Sequence, residues 1–303
     1  RLTPIVNRVV DSLLLCEHQL DEVDLTIFRT FPHVGARIKG LYIINPMDGA
    51  PSDTVLAVPE LVAAVDIKKA LKGDIFIEKL TLRDAEGNVY INQDGLSNVD
   101  ILRPSTDTIQ EPEDTTTGGW RLNSIGWQGT IAINATHLRF VDDKDTISAG
   151  IDGLSLNLTE KNTDDLLSCC LELAAPHITA SIKEVPYAQD LSLSLTLPIR
   201  LDSTLYIDGT QLALNQFQVA LDGAIKVVQS CCWTDNQYIC DLNLRTNDWR
   251  ISEVMALLPA QYASLWPEDI QADGTLRLSA HAYGQYDSVS LPLVDAHLVL
   301  TDA

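Results

Sequence analysis

Six cysteines carry the clearest potential for chemistry in this chain: Cys16, Cys169, Cys170, Cys231, Cys232 and Cys240. They do not follow the C-x-x-C spacing of zinc and redox sites. A two-residue turn at Asp235-Asn236 would make a β-hairpin of residues 231–240 and place Cys231 opposite Cys240 in a non-hydrogen-bonded pair. Such a pair is able to form a disulfide in an oxidising compartment. The alternative is that both cysteines are small apolar residues on a sheet face.

Recognisable catalytic and metal-binding motifs are not found elsewhere in the sequence. It contains no glycine-rich phosphate loop, no G-x-S-x-G elbow and no H-E-x-x-H pair. The six histidines lack metal-ligand spacing. Carboxylate pairs such as Asp142-Asp143 and Asp164-Asp165 lie in turn-like contexts, which favours solvated turns over an acid/base pair or a calcium site. The sequence therefore predicts a protein that is not an enzyme and needs neither a metal nor a cofactor.

Composition restricts the class of partner. The 303 residues include 42 acidic and 21 basic side chains, a formal net charge of −21. Phosphate backbones would repel such a chain, so we do not expect a nucleic acid partner. Hydrophobic residues make up 46% of the chain but aromatic residues only 6%, so the apolar content is mainly aliphatic. This composition suits long aliphatic sheet faces better than an aromatic-lined pocket.

Apolar and polar residues alternate along most of the chain. In the clearest run, Leu191 to Leu201, every second residue is Leu or Ile. Alternation is typical of antiparallel strands with one solvated face. Asp-Gly pairs at 94–95, 152–153, 208–209, 222–223 and 273–274 favour tight turns between such strands. We predict a mainly β fold, an antiparallel meander of amphipathic strands forming a curved, groove-like or sandwich-like sheet.

Helical spacing is confined to a few segments. It predicts an amphipathic helix from about Thr3 to Leu15 packed against the sheet, and short helices that include one capped by Ser252 and ended by Pro259. The acidic segment 104–119 is almost free of apolar residues and predicts a mobile loop. We therefore divide the chain into a segment of helix and strands (1–103), this loop (104–119) and a β-rich segment continuous with the first (120–303). The chain starts without Met and stops in a strand-like pattern, so we expect a piece of a longer protein, truncated at its C-terminus.

The apolar positions of the alternating runs are candidates to line a groove for acyl chains. Each methylene group removed from water contributes roughly 0.8 kcal/mol, without directional preference. A closed β-sandwich would bury the same side chains, so the pattern leaves open both a lipid groove and a packed core. The candidates are Ile75, Ile77, Leu193, Leu195, Leu197, Phe217, Val219, Leu276 and Leu278.

Several segments resemble the AsmA-like family of envelope proteins, in the form common in Bacteroidetes-type members. Residues 71–82 and 89–98 are similar to the N-terminal region of that family, and Phe31-Pro32 with 40–43 resembles the segment after its first helix. The resemblance continues through 120–159, with Leu138–Asp142 and 151–156, and through 257–262, 273–278 and 284–286. It spans most of the chain, and the order of the motifs makes it more specific than any one of them.

The resemblance implies a β-rich periplasmic body tethered to the inner membrane by an N-terminal helix, which we expect to precede this sequence. It also implies a role in outer-membrane assembly, or in the transport of phospholipid or another lipid between membranes through an apolar β-groove. Six cysteines are more than this family leads us to expect. The alternative is a β-sandwich module for binding or adhesion, or a structural scaffold, without lipid transport.

Overall fold

The computed structural model describes residues 7, 10, 11, 14–26, 34–65, 74–100, 124–163, 166–228, 237–257, 273–287 and 289–302. The fold is mainly β, which confirms the predicted fold class. One short helix, α1, spans Ile251–Ala256. The strands are β1 (His18–Thr26), β2 (Val34–Ile44), β3 (Thr54–Val65), β4 (Asp74–Arg83), β5 (Glu86–Ile91), β6 (Ser124–Asp142), β7 (Ile147–Thr163), β8 (Leu166–Ile182), β9 (Val185–Leu201), β10 (Thr204–Tyr206), β11 (Thr210–Leu214), β12 (Phe217–Val228), β13 (Gln237–Thr246), β14 (Trp249–Arg250), β15 (Thr275–Tyr286) and β16 (Leu293–Thr301).

Within the described residues, sixteen strands join in one hydrogen-bonded sheet that is mostly antiparallel. Its order is β1-β2-β3-β4-β6-β7-β8-β9-β10-β12-β13-β15-β14. Beside this path, β5 pairs with β3 and β6, β11 pairs with β9 and β12, and β16 pairs with β15. Since most neighbours in the sheet are also neighbours in sequence, the predicted meander describes most of the topology.

Strand β6 departs from the predicted antiparallel meander. Both β4 and β5 pair with it in parallel, with Leu80 opposite Ile131 and Val89 opposite Phe140. Parallel neighbours require a long connection that returns the chain to the same end of the sheet, and residues 92–123 separate β5 from β6. Side-chain alternation is the same in parallel and antiparallel strands, so the sequence pattern does not reveal this pairing.

The chain forms two compact units, residues 1–155 and 156–303, and the division falls within β7. The sequence instead places its segment boundaries at 103 and 119. These positions and the predicted acidic loop lie outside the described residues, so the loop stays a prediction.

The unit of residues 1–155 contains a buried core. Ile38, Leu41, Val58 and Ala85 form one cluster, against which half-buried side chains of β1, β3 and β4 pack. A second cluster joins Leu14 to two side chains of β2 and β3. Most of the predicted N-terminal helix lies outside the described residues, although residues 7, 10 and 11 are helical.

Helix α1 confirms the helical spacing near residue 251 but not the predicted cap. It begins at Ile251, and its N-cap is Arg250, which makes no side-chain capping bond. Ser252 therefore lies inside the first turn, because the helix starts directly after β14. Pro259 lies outside the described residues.

The Asp-Gly pairs serve two different purposes. Asp94-Gly95 and Asp208-Gly209 lie in turns, as predicted. Gly153 and Gly223 lie inside β7 and β12, so the turn prediction is wrong there. Gly223 has a φ of 147°, and a Cβ at this position would overlap the carbonyl oxygen of Asp241 in β13. This glycine allows two strands to approach closely instead of reversing the chain.

Two of these pairs bind each other reciprocally. The backbone N–H of Gly209 donates to Oδ1 of Asp222 (2.8 Å), and the backbone N–H of Gly223 donates to Oδ1 of Asp208 (3.0 Å). Arg245 in β13 donates to Oδ2 of Asp222 at 2.6 Å. These hydrogen bonds fix the turn between β10 and β11 against β12. The Gly209 N–H, followed by the Arg245 guanidinium, holds the pKa of the Asp222 carboxyl below its usual value.

The lowered pKa of Asp222 predicts a stability loss in acid. A carboxyl whose folded-state pKa is depressed stabilises the fold above its unfolded-state pKa, roughly 3.9, and this contribution is lost as pH falls through the folded-state pKa. We expect Asp222→Asn to reduce the difference in unfolding free energy between pH 7 and pH 3. Urea unfolding at both pH values measures it. Arg245→Gln keeps the Gly209 bond and should have a smaller effect; an unchanged pH dependence in Asp222→Asn would contradict the assignment.

Candidate functional site

Strand register gathers the predicted apolar residues of unit 156–303 on one face. Opposed residues of neighbouring strands share a face, so cross-strand pairs define it. In one row Leu195 of β9 opposes Leu212 of β11, which opposes Val219 of β12. In the next row Leu193, Leu214 and Phe217 are opposed in the same way. The aliphatic face of this unit comprises Leu193, Leu195, Leu197, Leu212, Leu214, Phe217, Val219, Leu276, Leu278, Leu298 and Leu300.

The first row continues across β13 into β15 and β16. Val219 opposes Thr246, whose hydroxyl accepts a hydrogen bond from the backbone N–H of Leu278 at 2.9 Å. Leu278 in turn opposes Leu298. Thr246 is buried, and its hydroxyl is occupied by the backbone of β15. The polar residue in this row therefore offers the surface mainly its methyl group.

The aliphatic face is partly accessible to solvent. Phe217 is buried and makes an edge-to-face contact with Trp249, with ring centroids 5.5 Å apart. Leu212 is 38% exposed and Leu298 60% exposed, and the β9 and β15 leucines are half-buried. Among the described residues of this unit, the buried apolar side chains are Ala175, Phe217 and Cys240. The described residues of this unit therefore contain no buried cluster like those of residues 1–155.

One end of the face is held by an asparagine. Asn247 Oδ1 accepts hydrogen bonds from the backbone N–H of Gln218 (2.8 Å) and from Nε1 of Trp249 (2.7 Å). Its Nδ2 donates to the carbonyl oxygen of Gln216 at 2.9 Å. These bonds fix the indole beside Phe217 at the edge of the aliphatic surface. The sequence does not reveal this role, since Asn247 follows a strand and has the pattern of an ordinary loop residue.

The predicted site residues do not belong to a single unit. Leu193, Leu195, Leu197, Phe217, Val219, Leu276 and Leu278 lie on the aliphatic face of unit 156–303, whereas two lie in unit 1–155. Ile77 is half-buried in β4 and opposes Val65, next to a register shift. The backbone of Ile75 pairs with Ile125 of β6, and the structure does not describe the Ile75 side chain.

Four leucines that were not predicted from the sequence also lie at the site. Leu212 and Leu214 lie in β11, and Leu298 and Leu300 in β16. Alternation identifies both segments as strands, but pairing with β12 and β15 puts them on the same face as the predicted residues.

The predicted hairpin register around Cys240 is wrong. Cys240 opposes Ile225, and the last described pair before the connection joins Val228 to Gln237. Residues 229–236, which include Cys231, lie outside the described residues. Cys240 is a buried free thiol that donates to the carbonyl oxygen of Gly284 at 3.5 Å. It corresponds to the alternative of a small apolar residue on a sheet face.

The opposite face of this unit contains a polar region. An open concavity of about 510 Å³ is lined by β12, β13, β15 and β16, with Asp222, Arg245, Ser279 and His281 among its side chains. His281 Nε2 lies 2.8 Å from Oδ1 of Asp241, and both side chains are exposed to solvent. Among the described residues, no cluster of His, Cys, Asp or Glu is placed to hold a metal ion.

No helix within the described part of the chain combines the length and the apolar character needed to span a membrane. Comparisons with protein-family models, with curated proteins and with solved structures found no match to this chain.

Proposed function

We propose that the chain is a non-enzymatic periplasmic envelope protein of AsmA type, tethered to the inner membrane, that binds phospholipid acyl chains on its aliphatic face. Its role would be outer-membrane assembly or lipid transport between membranes. The accessibility of the aliphatic face supports this proposal most directly. The resemblance of the sequence to AsmA-like proteins supports the cellular setting.

The chemistry of the face suits a sliding ligand. Burial of apolar surface contributes roughly 25 cal/mol per Å² and imposes no preferred orientation. Rows of leucine extend from β9 to β16, whereas the one polar side chain in the first row, Thr246, is bonded to β15. Such a surface lacks the converging polar groups that fix one ligand in one pose. Acyl chains would therefore gain free energy in many positions along it.

The alternative is a sandwich-type binding, adhesion or scaffold module. A sandwich buries each inner face under a second sheet about 10 Å away. Exposed fractions of 38% at Leu212 and 56% at Leu300 favour the lipid proposal over this alternative.

Photo-crosslinking tests the proposal through adjacent residues of opposite orientation. A photoreactive side chain at Leu195 or Leu278 should form lipid adducts in cells, because both positions lie on the aliphatic face. Ser194 and Ser279, the next residues in the same strands, lie on the polar face and provide matched controls. Mass spectrometry of the purified protein measures the adducts. Equal labelling at leucine and serine positions, or none at either leucine in folded protein, would overturn the proposal.

A charged substitution gives an independent test. Leu212 is 38% exposed, so Leu212→Asp should leave the sheet folded while placing a carboxylate within the leucine rows. We expect lipid retained through gentle purification, measured by native mass spectrometry, to fall roughly 10-fold. Gln211→Asp, one residue away on the polar face, is the control and should retain lipid. Similar retention in both variants would contradict the role of the face.

A further inference from the structure

The hairpin between β15 and β16 presents large apolar side chains to water. Val289 is 90% exposed and Leu291 80% exposed, the two highest values among the large hydrophobic residues of the described chain. The segment 286–294, Tyr-Asp-Ser-Val-Ser-Leu-Pro-Leu-Val, contains one charged residue, Asp287. The apolar tip, Val289 and Leu291, is therefore exposed at the end of a hairpin with very little charge.

The tip is held in place by Asp287. Its Oδ1 accepts hydrogen bonds from the backbone N–H groups of Val289 (2.9 Å) and Ser290 (2.6 Å), and Gln285 donates to its Oδ2 at 2.7 Å. The backbone N–H of Asp287 donates to the carbonyl oxygen of Ser290 at 3.0 Å. The Val289 N–H is the main cause of a lowered pKa at Asp287. The one charge of the hairpin is thus engaged in bonds that order the turn, which reduces the cost of moving it away from bulk water.

Tyrosine rings lie behind the tip on both faces of the sheet. Tyr286 at the end of β15 lies against Tyr238 of β13, with ring centroids 6.2 Å apart. Tyr283, three residues earlier and so on the other face, opposes Leu293 and stacks on His281 at 4.8 Å. Three residues of strand span about 10 Å. We name Tyr238, Tyr283 and Tyr286 the tyrosine belt.

The order of side chains, aliphatic at the tip and tyrosine behind it, matches the polarity profile of a membrane surface. Tyrosine prefers the boundary between membrane headgroups and acyl chains, where its ring is in an apolar region and its hydroxyl in water. Interfacial segments insert their apolar side chains about 5–10 Å into this boundary. Aliphatic side chains at the tip, followed by tyrosines in the strands behind it, have the same order. Binding of the tip in a protein pocket would not require tyrosines on both faces of the sheet.

We infer that the apolar tip inserts into the surface of a lipid bilayer, with the tyrosine belt at headgroup level. The chain carries a net charge of −21, so a zwitterionic membrane is the favoured target over an anionic one. Strand β16 continues from the tip into Leu298 and Leu300 of the aliphatic face. Membrane insertion of the tip could allow acyl chains to pass between the bilayer and the aliphatic face. That transfer rests on the proposed function, whereas the insertion itself does not.

Flotation with phosphatidylcholine vesicles tests the inference. The wild-type chain should float with the vesicles. The double substitution Val289→Asp/Leu291→Asp should lower the ratio of vesicle-bound to free protein roughly 100-fold. Leu96→Asp/Val99→Asp is the matched control, because Leu96 (62%) and Val99 (40%) are also exposed but lie in unit 1–155. Circular dichroism checks that both variants retain strand structure. Failure of the wild type to float, or equal flotation of the two variants, would overturn the inference.

Two further measurements distinguish membrane insertion of the tip from self-association and from lipid binding on the aliphatic face. A photoreactive side chain at Leu291 should label phosphatidylcholine in vesicles; labelling of a second protein copy instead would identify self-association and overturn membrane insertion. Retention of monomeric lysophosphatidylcholine, measured by native mass spectrometry, reports on the aliphatic face. A tip variant that no longer floats but still retains this lipid supports the inference. Flotation without lipid retention contradicts the proposed function alone.

Discussion

Replacement of Gly223 by alanine should destabilise the unit of residues 156–303 by about 2–5 kcal/mol. Two physical causes combine at this position. The φ of 147° disfavours any residue with a Cβ, and that Cβ would overlap the carbonyl oxygen and the neighbouring Cα of β13. Neither strand can move away freely, because β12 is held by β11 on its other side and β13 by β15. Urea unfolding followed by circular dichroism measures the loss.

Gly284 provides the control that separates the two causes. It lies in β15 with a φ of 114°, but nothing lies within 4 Å of a Cβ at that position. Gly284→Ala should therefore show only the conformational strain, about 1–2 kcal/mol. The difference between the two variants is the cost of steric overlap. Equal destabilisation would mean that close strand approach is not the reason for glycine at position 223.

Replacement of Asn98 by alanine should cost the unit of residues 1–155 about 2–4 kcal/mol. Asn98 is fully buried, and its Oδ1 accepts from the backbone N–H of Tyr90 (2.8 Å) while its Nδ2 donates to the carbonyl oxygen of Asn88 (2.9 Å). Strand β3 pairs with β5 only as far as Gly87, so the backbone groups beyond that point need another partner. Asn98 supplies it, and alanine would leave the buried N–H of Tyr90 and the part-buried carbonyl of Asn88 without this partner.

Asn92→Ala is the matched control for this prediction. Asn92 Oδ1 accepts from the backbone N–H groups of Asp94 and Leu96 in an exposed turn, where water can replace it. Its loss should cost well under about 1 kcal/mol. Urea unfolding of both variants gives the comparison. If the two substitutions cost the same, the buried bonds of Asn98 do not carry the stability assigned to them.

The sequence alone determined the β class of the fold. It also determined which side chains of a given strand share a face. Alternation from Leu191 to Leu201 places Leu193, Leu195 and Leu197 on one side of β9, because successive side chains of a strand point to opposite faces. That geometry is local and needs no knowledge of neighbouring strands. The net charge of −21 is likewise a property of composition.

Tertiary structure decided everything that depends on which strands are neighbours. Register placed Ile225 opposite Cys240, and strand proximity explains why Gly223 lies inside a strand although it follows Asp as in a turn. The parallel pairing of β6 depends on a long connection, and the role of Asn98 depends on where β3 leaves β5. Such contacts join residues far apart in the chain, so no local pattern encodes them. The exposure of the aliphatic face is of the same kind: alternation is identical in a covered and an uncovered sheet, and only the position of other layers decides whether Leu212 and Leu298 meet water.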